Sequence, residues 1–172
     1  NGIIYGSLED DTITGGIGND TFYGYEGNDV IYTSGNWDVS GNSSSFVTAN
    51  DSLYGGDGND ILSAYASAHW DGNSYSYLPS GNTFLDGGNG ADTLQTFCDG
   101  CDSLYGGDGN DFLLAAGAFY MNGNGYFAVS SGNTVLDGGD GNDTLQTSGG
   151  GNDSLYGGDG NDLLTAYASA QW

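Results

Sequence analysis

The residues with chemistry to offer are aspartates set in glycine turns. Gly-Gly-Asp-Gly-Asn-Asp occurs at 55–60, 106–111, 138–143 and 157–162, with near copies at 15–20 (GGIGND), 24–29 (GYEGND) and 87–92 (GGNGAD). Each turn ends on a carboxylate and runs into three strand-like residues, as in Ile61-Leu62-Ser63. Of the 172 residues 23 are acidic, 21 of them Asp, and none is Lys or Arg, giving a formal charge of −23. Nothing in the chain can pair with those carboxylates, and a compact state repels itself unless cations enter it. Metal cations are the missing partner.

The same deficit excludes function classes. A chain without basic side chains cannot make the phosphate contacts that drive nucleic-acid binding or form a polybasic membrane patch, and no apolar run approaches the ~20 residues of a membrane span. Catalysis is poorly supported: one His, no Lys, no Arg, and every acidic cluster accounted for by turns. His69 falls on an outward strand position, and its repeat counterpart is Gln171. The chain is read as non-enzymatic.

The elements that must position the aspartates follow from periodicity. The 34 glycines recur regularly, which indicates repeat architecture rather than disorder. Thirteen nonamers of pattern G-G-x-G-x-D-x-U-x, U being large and apolar, begin at 6, 15, 24, 46, 55, 78, 87, 97, 106, 129, 138, 148 and 157. Their eighth positions are Ile13, Phe22, Ile31, Leu53, Leu62, Leu85, Leu94, Leu104, Leu113, Leu136, Leu145, Leu155 and Leu164. A three-residue strand with one apolar residue cannot bury it alone, so the units must stack into one core ladder. Position nine, often Tyr (Tyr23, Tyr32, Tyr54, Tyr105, Tyr156), then points outward.

A longer period lies over the short one. DSLYGGDGND begins at Asp51, Asp102 and Asp153, a spacing of 51 residues. The single domain 1–172 therefore divides into super-repeats of about 1–50, 51–101, 102–152 and an incomplete 153–172. The surplus includes inserts at 64–77 and 115–128, with a counterpart at 33–45. In the first insert Ala64, Ala66, Ala68 and Trp70 alternate with polar positions, and Asp71-Gly72-Asn73 reads as a turn back through Ser74–Tyr77. The expectation is a wider coil, or a hairpin flap, alternating with narrow coils. Insert aromatics (Trp37, Tyr65, Trp70, Tyr75, Tyr77, Phe119, Tyr120, Tyr126, Phe127) either cover the wide coils or form a glycan-binding or self-association surface.

The nonamer resembles the calcium-binding nonapeptide of the RTX (repeats-in-toxin) proteins, and the resemblance covers nearly the whole chain. It implies an all-β parallel β-roll, or β-helix solenoid, in which two nonamers make one coil. It implies calcium between turns stacked on one edge, held by position-six Asp carboxylates and backbone carbonyls of the glycine turn. The chemistry agrees: calcium takes six to eight oxygens, and glycines let carbonyls point inward. The alternative is that these Asp residues only cap exposed turns.

With two units per coil, odd and even units lie on opposite edges. Odd units carry Asp11, Asp29, Asp60, Asp92, Asp111, Asp143 and Asp162, an unbroken row. The carbonyls expected beside them are those of Gly55, Gly58, Gly87, Gly90, Gly106, Gly109, Gly138, Gly141, Gly157 and Gly160. Even units carry Asp20, Asp51, Asp102 and Asp153 as further metal candidates, but Thr83 and Thr134 interrupt them and Pro79 and Cys98 replace flexible positions. The expectation is a one-sided rail with about one ion in each gap between the seven odd turns, roughly six in all. Asp57, Asp108, Asp140 and Asp159 at position three are assigned a carbonyl role ahead of charge balance, and the position-five Asn residues a stacked ladder. Cys98 and Cys101, in CDGC, are read as a disulfide closing an even turn, ahead of free thiols or a redox pair.

Two functional classes remain. One is an extracellular, cell-surface structural protein, bacterial by resemblance, that stacks end to end into a filament or sheet. The other is a repeat module of a larger secreted toxin, adhesin or hydrolase that aids export and folding. The first is favoured because AYASAQW (166–172) repeats AYASAHW (64–70) and residues 1–5 read as the tail of a nonamer, leaving coil edges uncapped. Glycan or ice binding is weaker; Asn42-Ser43-Ser44 has glycosylation-acceptor spacing.

Overall fold

A computed structural model describes residues 2–16, 18–34, 50–65, 68–70, 75–77, 81–98, 100–117, 119–122, 125–128 and 132–168. These form eighteen strands: β1 (Ile3–Tyr5), β2 (Thr12–Thr14), β3 (Thr21–Glu26), β4 (Val30–Ser34), β5 (Ser52–Asp57), β6 (Ile61–Tyr65), β7 (Ala68–Trp70), β8 (Tyr75–Tyr77) and β9 (Phe84–Asn89). They continue as β10 (Thr93–Phe97), β11 (Ser103–Asp108), β12 (Phe112–Ala116), β13 (Phe119–Asn122), β14 (Gly125–Ala128), β15 (Val135–Asp140), β16 (Thr144–Gly149), β17 (Ser154–Asp159) and β18 (Leu163–Ala168). Among the described residues there is no helix.

Two seven-stranded sheets carry the fold, ordered β1-β3-β5-β9-β11-β15-β17 and β2-β4-β6-β10-β12-β16-β18. Every neighbouring pair within them is parallel. The chain alternates between the sheets, so two nonamers complete one coil of a parallel β-roll. The physical reason is the single apolar residue per nonamer: it has nowhere to go but between two sheets, each contributing one residue per coil.

The register makes two facing ladders of those residues. Phe22, Leu53, Leu85, Leu104, Leu136 and Leu155 align along the first sheet, with Ile4 at its start. Ile13, Ile31, Leu62, Leu94, Leu113, Leu145 and Leu164 align along the second. From Phe22 to Leu145 all are completely buried, whereas Leu164 on the last strand of its sheet is 42% exposed. Position-nine tyrosines point outward, as alternation requires: Tyr23 and Tyr54 are half-buried and Tyr32, Tyr105 and Tyr156 exposed.

Strands are longer than the three residues expected. In the first sheet they run through the next unit's Gly-Gly-Asp, so that Gly56, Gly88, Gly107, Gly139 and Gly158 pair across coils. Position two adopts positive φ, 119° at Gly56 for example, and Tyr25 takes φ 86° at the same place. That conformation favours glycine, which accounts for the Gly-Gly of most odd turns.

The inserts resolve the choice left open between a wide coil and a flap. β7 pairs antiparallel with β8, and β13 with β14, each a two-stranded hairpin outside the main sheets. The counterpart insert is described only at Thr33 and Ser34. Trp37 and Asn42 lie outside the described residues, as do most insert side chains named above; Tyr65 is described, 41% exposed and stacked on Phe97 at 5.3 Å.

Candidate metal centre

Position six immediately precedes each strand of the second sheet, and coil stacking brings the seven odd aspartates into one row. Each Asp spends one carboxylate oxygen on the coil before it. Oδ1 of Asp29, Asp60, Asp92, Asp111, Asp143 and Asp162 accepts the backbone N–H of Asp11, Asp29, Asp60, Asp92, Asp111 and Asp143 respectively, at 2.7–3.0 Å. This holds the carboxylate in one orientation and turns Oδ2 towards its own glycine turn.

There Oδ2 finds no donor. In Asp29, Asp60, Asp92, Asp111 and Asp143 it is buried and has no hydrogen-bond partner in the protein. A buried unpartnered carboxylate oxygen is costly, by more than the ~1–3 kcal/mol of a neutral group. Five in a row mark a place where the protein supplies negative oxygen and leaves its complement to another species.

The position-one glycines form the opposite wall. A Cβ built on Gly55 would collide with Asp60 Oδ2 and lie 2.5 Å from the Gly87 carbonyl oxygen. Gly24, Gly87, Gly106 and Gly138 repeat this with Asp29 and Gly55, Asp92 and Gly106, Asp111 and Gly138, and Asp143 and Gly157. Gly6 makes a sixth cradle from Asp11 Oδ2 and the Gly24 carbonyl. Glycine is needed here for space, since any side chain would fill the hollow between carboxylate and carbonyl.

Asp11 differs from the rest of its row. Its Oδ2 accepts both the backbone N–H (2.5 Å) and the hydroxyl (2.9 Å) of Ser7. That serine replaces the second glycine of the turn, a signal visible in the sequence and missed there.

The position-four carbonyls expected beside the aspartates face elsewhere. Those of Gly58, Gly90, Gly109 and Gly141 lie against the Cα of the position-four glycine one coil on. The carbonyl role given to Asp57, Asp108, Asp140 and Asp159 is also corrected. Each of these carbonyls accepts the backbone N–H of a position-four glycine in the preceding coil, at 2.7–2.9 Å. Parallel stacking makes that carbonyl part of the sheet ladder.

The even edge has the same plan in broken form. Asp20 donates its N–H to Asp51 Oδ1, Thr83 to Asp102 Oδ1 and Thr134 to Asp153 Oδ1, at 3.0–3.1 Å. Thr83 and Thr134 offer no carboxylate in return. Asp51 is further engaged by the Thr33 side chain, a contact across the coil that sequence spacing does not reveal. No even-edge carboxylate oxygen is among the unpartnered buried atoms of the described residues.

Position-five asparagines make the expected ladder, directed opposite to the aspartates. Oδ1 of Asn28, Asn59, Asn110 and Asn142 accepts an N–H from the following coil, and Asn19, Asn50, Asn82 and Asn133 do the same on the even edge. The disulfide is corrected: Cys98 and Cys101 are not joined. Cys98 is buried, its thiol 3.7 Å from the Ala64 carbonyl, while Cys101 is exposed with its N–H donated to Asn82. The turn between them points one side chain into the roll and the other out.

Electrostatics sharpen the odd edge. Burial raises the carboxyl of Asp60 to about 6, that of Asp92 to about 7 and that of Asp111 to about 6, with neighbouring carboxylates adding to the rise against backbone hydrogen bonds that oppose it. Asp29 and Asp143 are raised for the same reason. Raised carboxyls stabilise the fold at low pH and lose that contribution as pH rises through about 6–7. In chelator, the metal-free chain is therefore expected to gain β-sheet circular dichroism on acidification from pH 7.5 to 4, because protonation removes buried charge. The affinity of the folded chain for calcium should fall over the same interval, since a hard cation requires the ionised form.

Among the described residues no three His, Cys, Asp or Glu side chains converge as a ligand cluster. The donor set is instead one carboxylate oxygen and one glycine carbonyl per coil, repeated. Hard oxygen donors of this kind suit calcium better than zinc or copper, so the residues fit such an ion. A family model described as RTX calcium-binding nonapeptide repeat (4 copies) matches residues 2–36, 48–67, 80–96, 99–117, 129–164 and 147–169, well over half of the chain. No curated protein matches the sequence significantly.

Proposed function

The chain belongs to the RTX calcium-binding nonapeptide repeat family, and from that membership we propose that it is an extracellular structural module whose roll is held shut by calcium along one edge. Its repeats are calcium-binding, and such repeats are typical of secreted bacterial proteins. The observation that carries the one-sided reading is the row of buried, unpartnered Oδ2 atoms at Asp29, Asp60, Asp92, Asp111 and Asp143. Six cradles, each pairing an odd-edge Asp with a position-one carbonyl of the following coil, take one ion apiece. The Asp11 cradle is the weakest, because Ser7 competes for its oxygen.

Stacking end to end into a filament or sheet is the functional reading we favour. Core side chains at both ends of the roll support it: Leu164 on β18 is 42% exposed where Leu145 beside it is completely buried, and Ile4 at the other end is only partly buried. A further coil would bury them, supplied by a second copy or by a longer polypeptide. The second source makes the chain one module of a larger secreted toxin, adhesin or hydrolase. Electron microscopy and light scattering in millimolar calcium, then in EGTA, separate the two. Filaments that form in calcium and dissolve in EGTA are expected, whereas a monodisperse monomer in excess calcium overturns self-assembly.

A further inference from the structure

The outer face of the first sheet carries a column of position-nine side chains. Its register runs Tyr5, Tyr23, Tyr54, Asp86, Tyr105, Asp137, Tyr156, one residue per strand. Tyr5, Tyr23 and Tyr54 stack with ring centroids 5.5 and 4.9 Å apart and planes within 15°. Stacked faces are spent on one another, so this part of the column is a brace for the sheet.

Aspartate interrupts the column twice, and the two interruptions differ. Beside Asp86 the ring of Phe84 leans into the space, 5.5 Å from Tyr54 and 5.4 Å from Tyr105, and closes it. Beside Asp137 the equivalent residue is Val135, in register with Ser103 and Ser154 on the flanking strands. No described ring fills that place. Tyr105 and Tyr156 therefore stand two strands apart, about 9.6 Å, with a carboxylate between them. Tyr105 is 37% and Tyr156 58% exposed.

A planar cation between the tyrosines would lie about 4.8 Å from each ring, within the ~6 Å reach of cation–π attraction. Its edge would meet the Asp137 carboxylate in the bidentate geometry a guanidinium makes. The chain has no Lys or Arg, so it cannot fill this slot itself, and its formal charge of −23 draws basic partners to it. We propose that the slot formed by Tyr105, Asp137 and Tyr156 over Val135 docks an arginine side chain of a partner polypeptide. Arginine is specified over lysine because only a flat, delocalised cation uses both ring faces and the carboxylate together.

The repeat supplies its own controls. The calcium-loaded protein would be titrated with an acetylated Gly-Arg-Gly peptide, following tyrosine ring resonances by NMR. Shifts confined to Tyr105 and Tyr156 are expected, with binding at least tenfold weaker for Asp137→Asn and for Val135→Phe, which plugs the slot as Phe84 plugs its counterpart without changing charge. Phe84→Val should open a second site and bring Tyr54 into the response. All three positions face outward, and circular dichroism in calcium checks that each variant is folded. A Gly-Lys-Gly peptide that binds equally, or binding unchanged by Val135→Phe and Asp137→Asn, would mean diffuse attraction to an acidic surface and overturn the proposal. So would shifts spread over the odd-edge turns, or a response to a neutral oligosaccharide in place of the arginine peptide.

Discussion

Stripping calcium with excess EGTA at pH 7.5 is expected to abolish the β-sheet circular dichroism of this chain, and restoring calcium to recover it. Single domains are stable by ~5–15 kcal/mol. One ion bound at a hundred times its Kd contributes about 2.7 kcal/mol, so six such sites would contribute about 16 kcal/mol together, as much as the whole margin. Opposing them are buried carboxylates at Asp29, Asp60, Asp92, Asp111 and Asp143, whose second oxygens have no protein donor. The core cannot compensate at neutral pH: each nonamer contributes one apolar side chain, and each sheet only one column of them. A sheet signal unaffected by chelation would mean that the leucine ladders and hydrogen-bonded coils suffice alone.

The second large effect is expected from a single methyl group. Gly106→Ala places a Cβ against Asp111 Oδ2 and 2.5 Å from the Gly138 carbonyl oxygen. Neither wall can retreat, since Asp111 is tied through Oδ1 to the Asp92 N–H at 2.8 Å and the carbonyl belongs to the next coil's backbone. The variant should bind one calcium fewer by isothermal titration and lose at least the ~2.7 kcal/mol of that site in urea unfolding at saturating calcium. Gly16→Ala is the matched control: its Cβ meets nothing within 4 Å, and its φ is not in the left-handed region. Equal losses from both substitutions would show that glycine matters there for backbone freedom and not for the cradle.

Much of this could be read from the residues before any coordinates. The eighth-position side chains from Phe22 to Leu145 forecast a stacked core because no other position of the nonamer is regularly apolar. Once two units make a coil, the odd row from Asp11 to Asp162 follows by counting, and so do the breaks at Thr83 and Thr134. What stayed hidden depends on contacts between coils. The Thr33 side chain reaches Asp51, and the Asp57 carbonyl accepts the Gly27 N–H of the coil before. Phe84 leans across Asp86 towards two tyrosines distant in sequence. Cys98 and Cys101 look like a tight bridge in a string of letters, yet between β10 and β11 one side chain is buried in the roll and the other exposed. Spacing along the chain states which residues share an edge; only stacking states which oxygen of a carboxylate is already in use.

Calcium is expected along one edge of the roll and not the other. Anomalous diffraction at long wavelength from crystals grown in calcium tests it most directly, because it locates the ions without assumption. Metal peaks are expected in the six gaps between Asp11, Asp29, Asp60, Asp92, Asp111, Asp143 and Asp162, the one nearest Asp11 weakest, and none beside Thr83 or Thr134. Peaks of equal height along both edges, or an odd edge without metal, would contradict it.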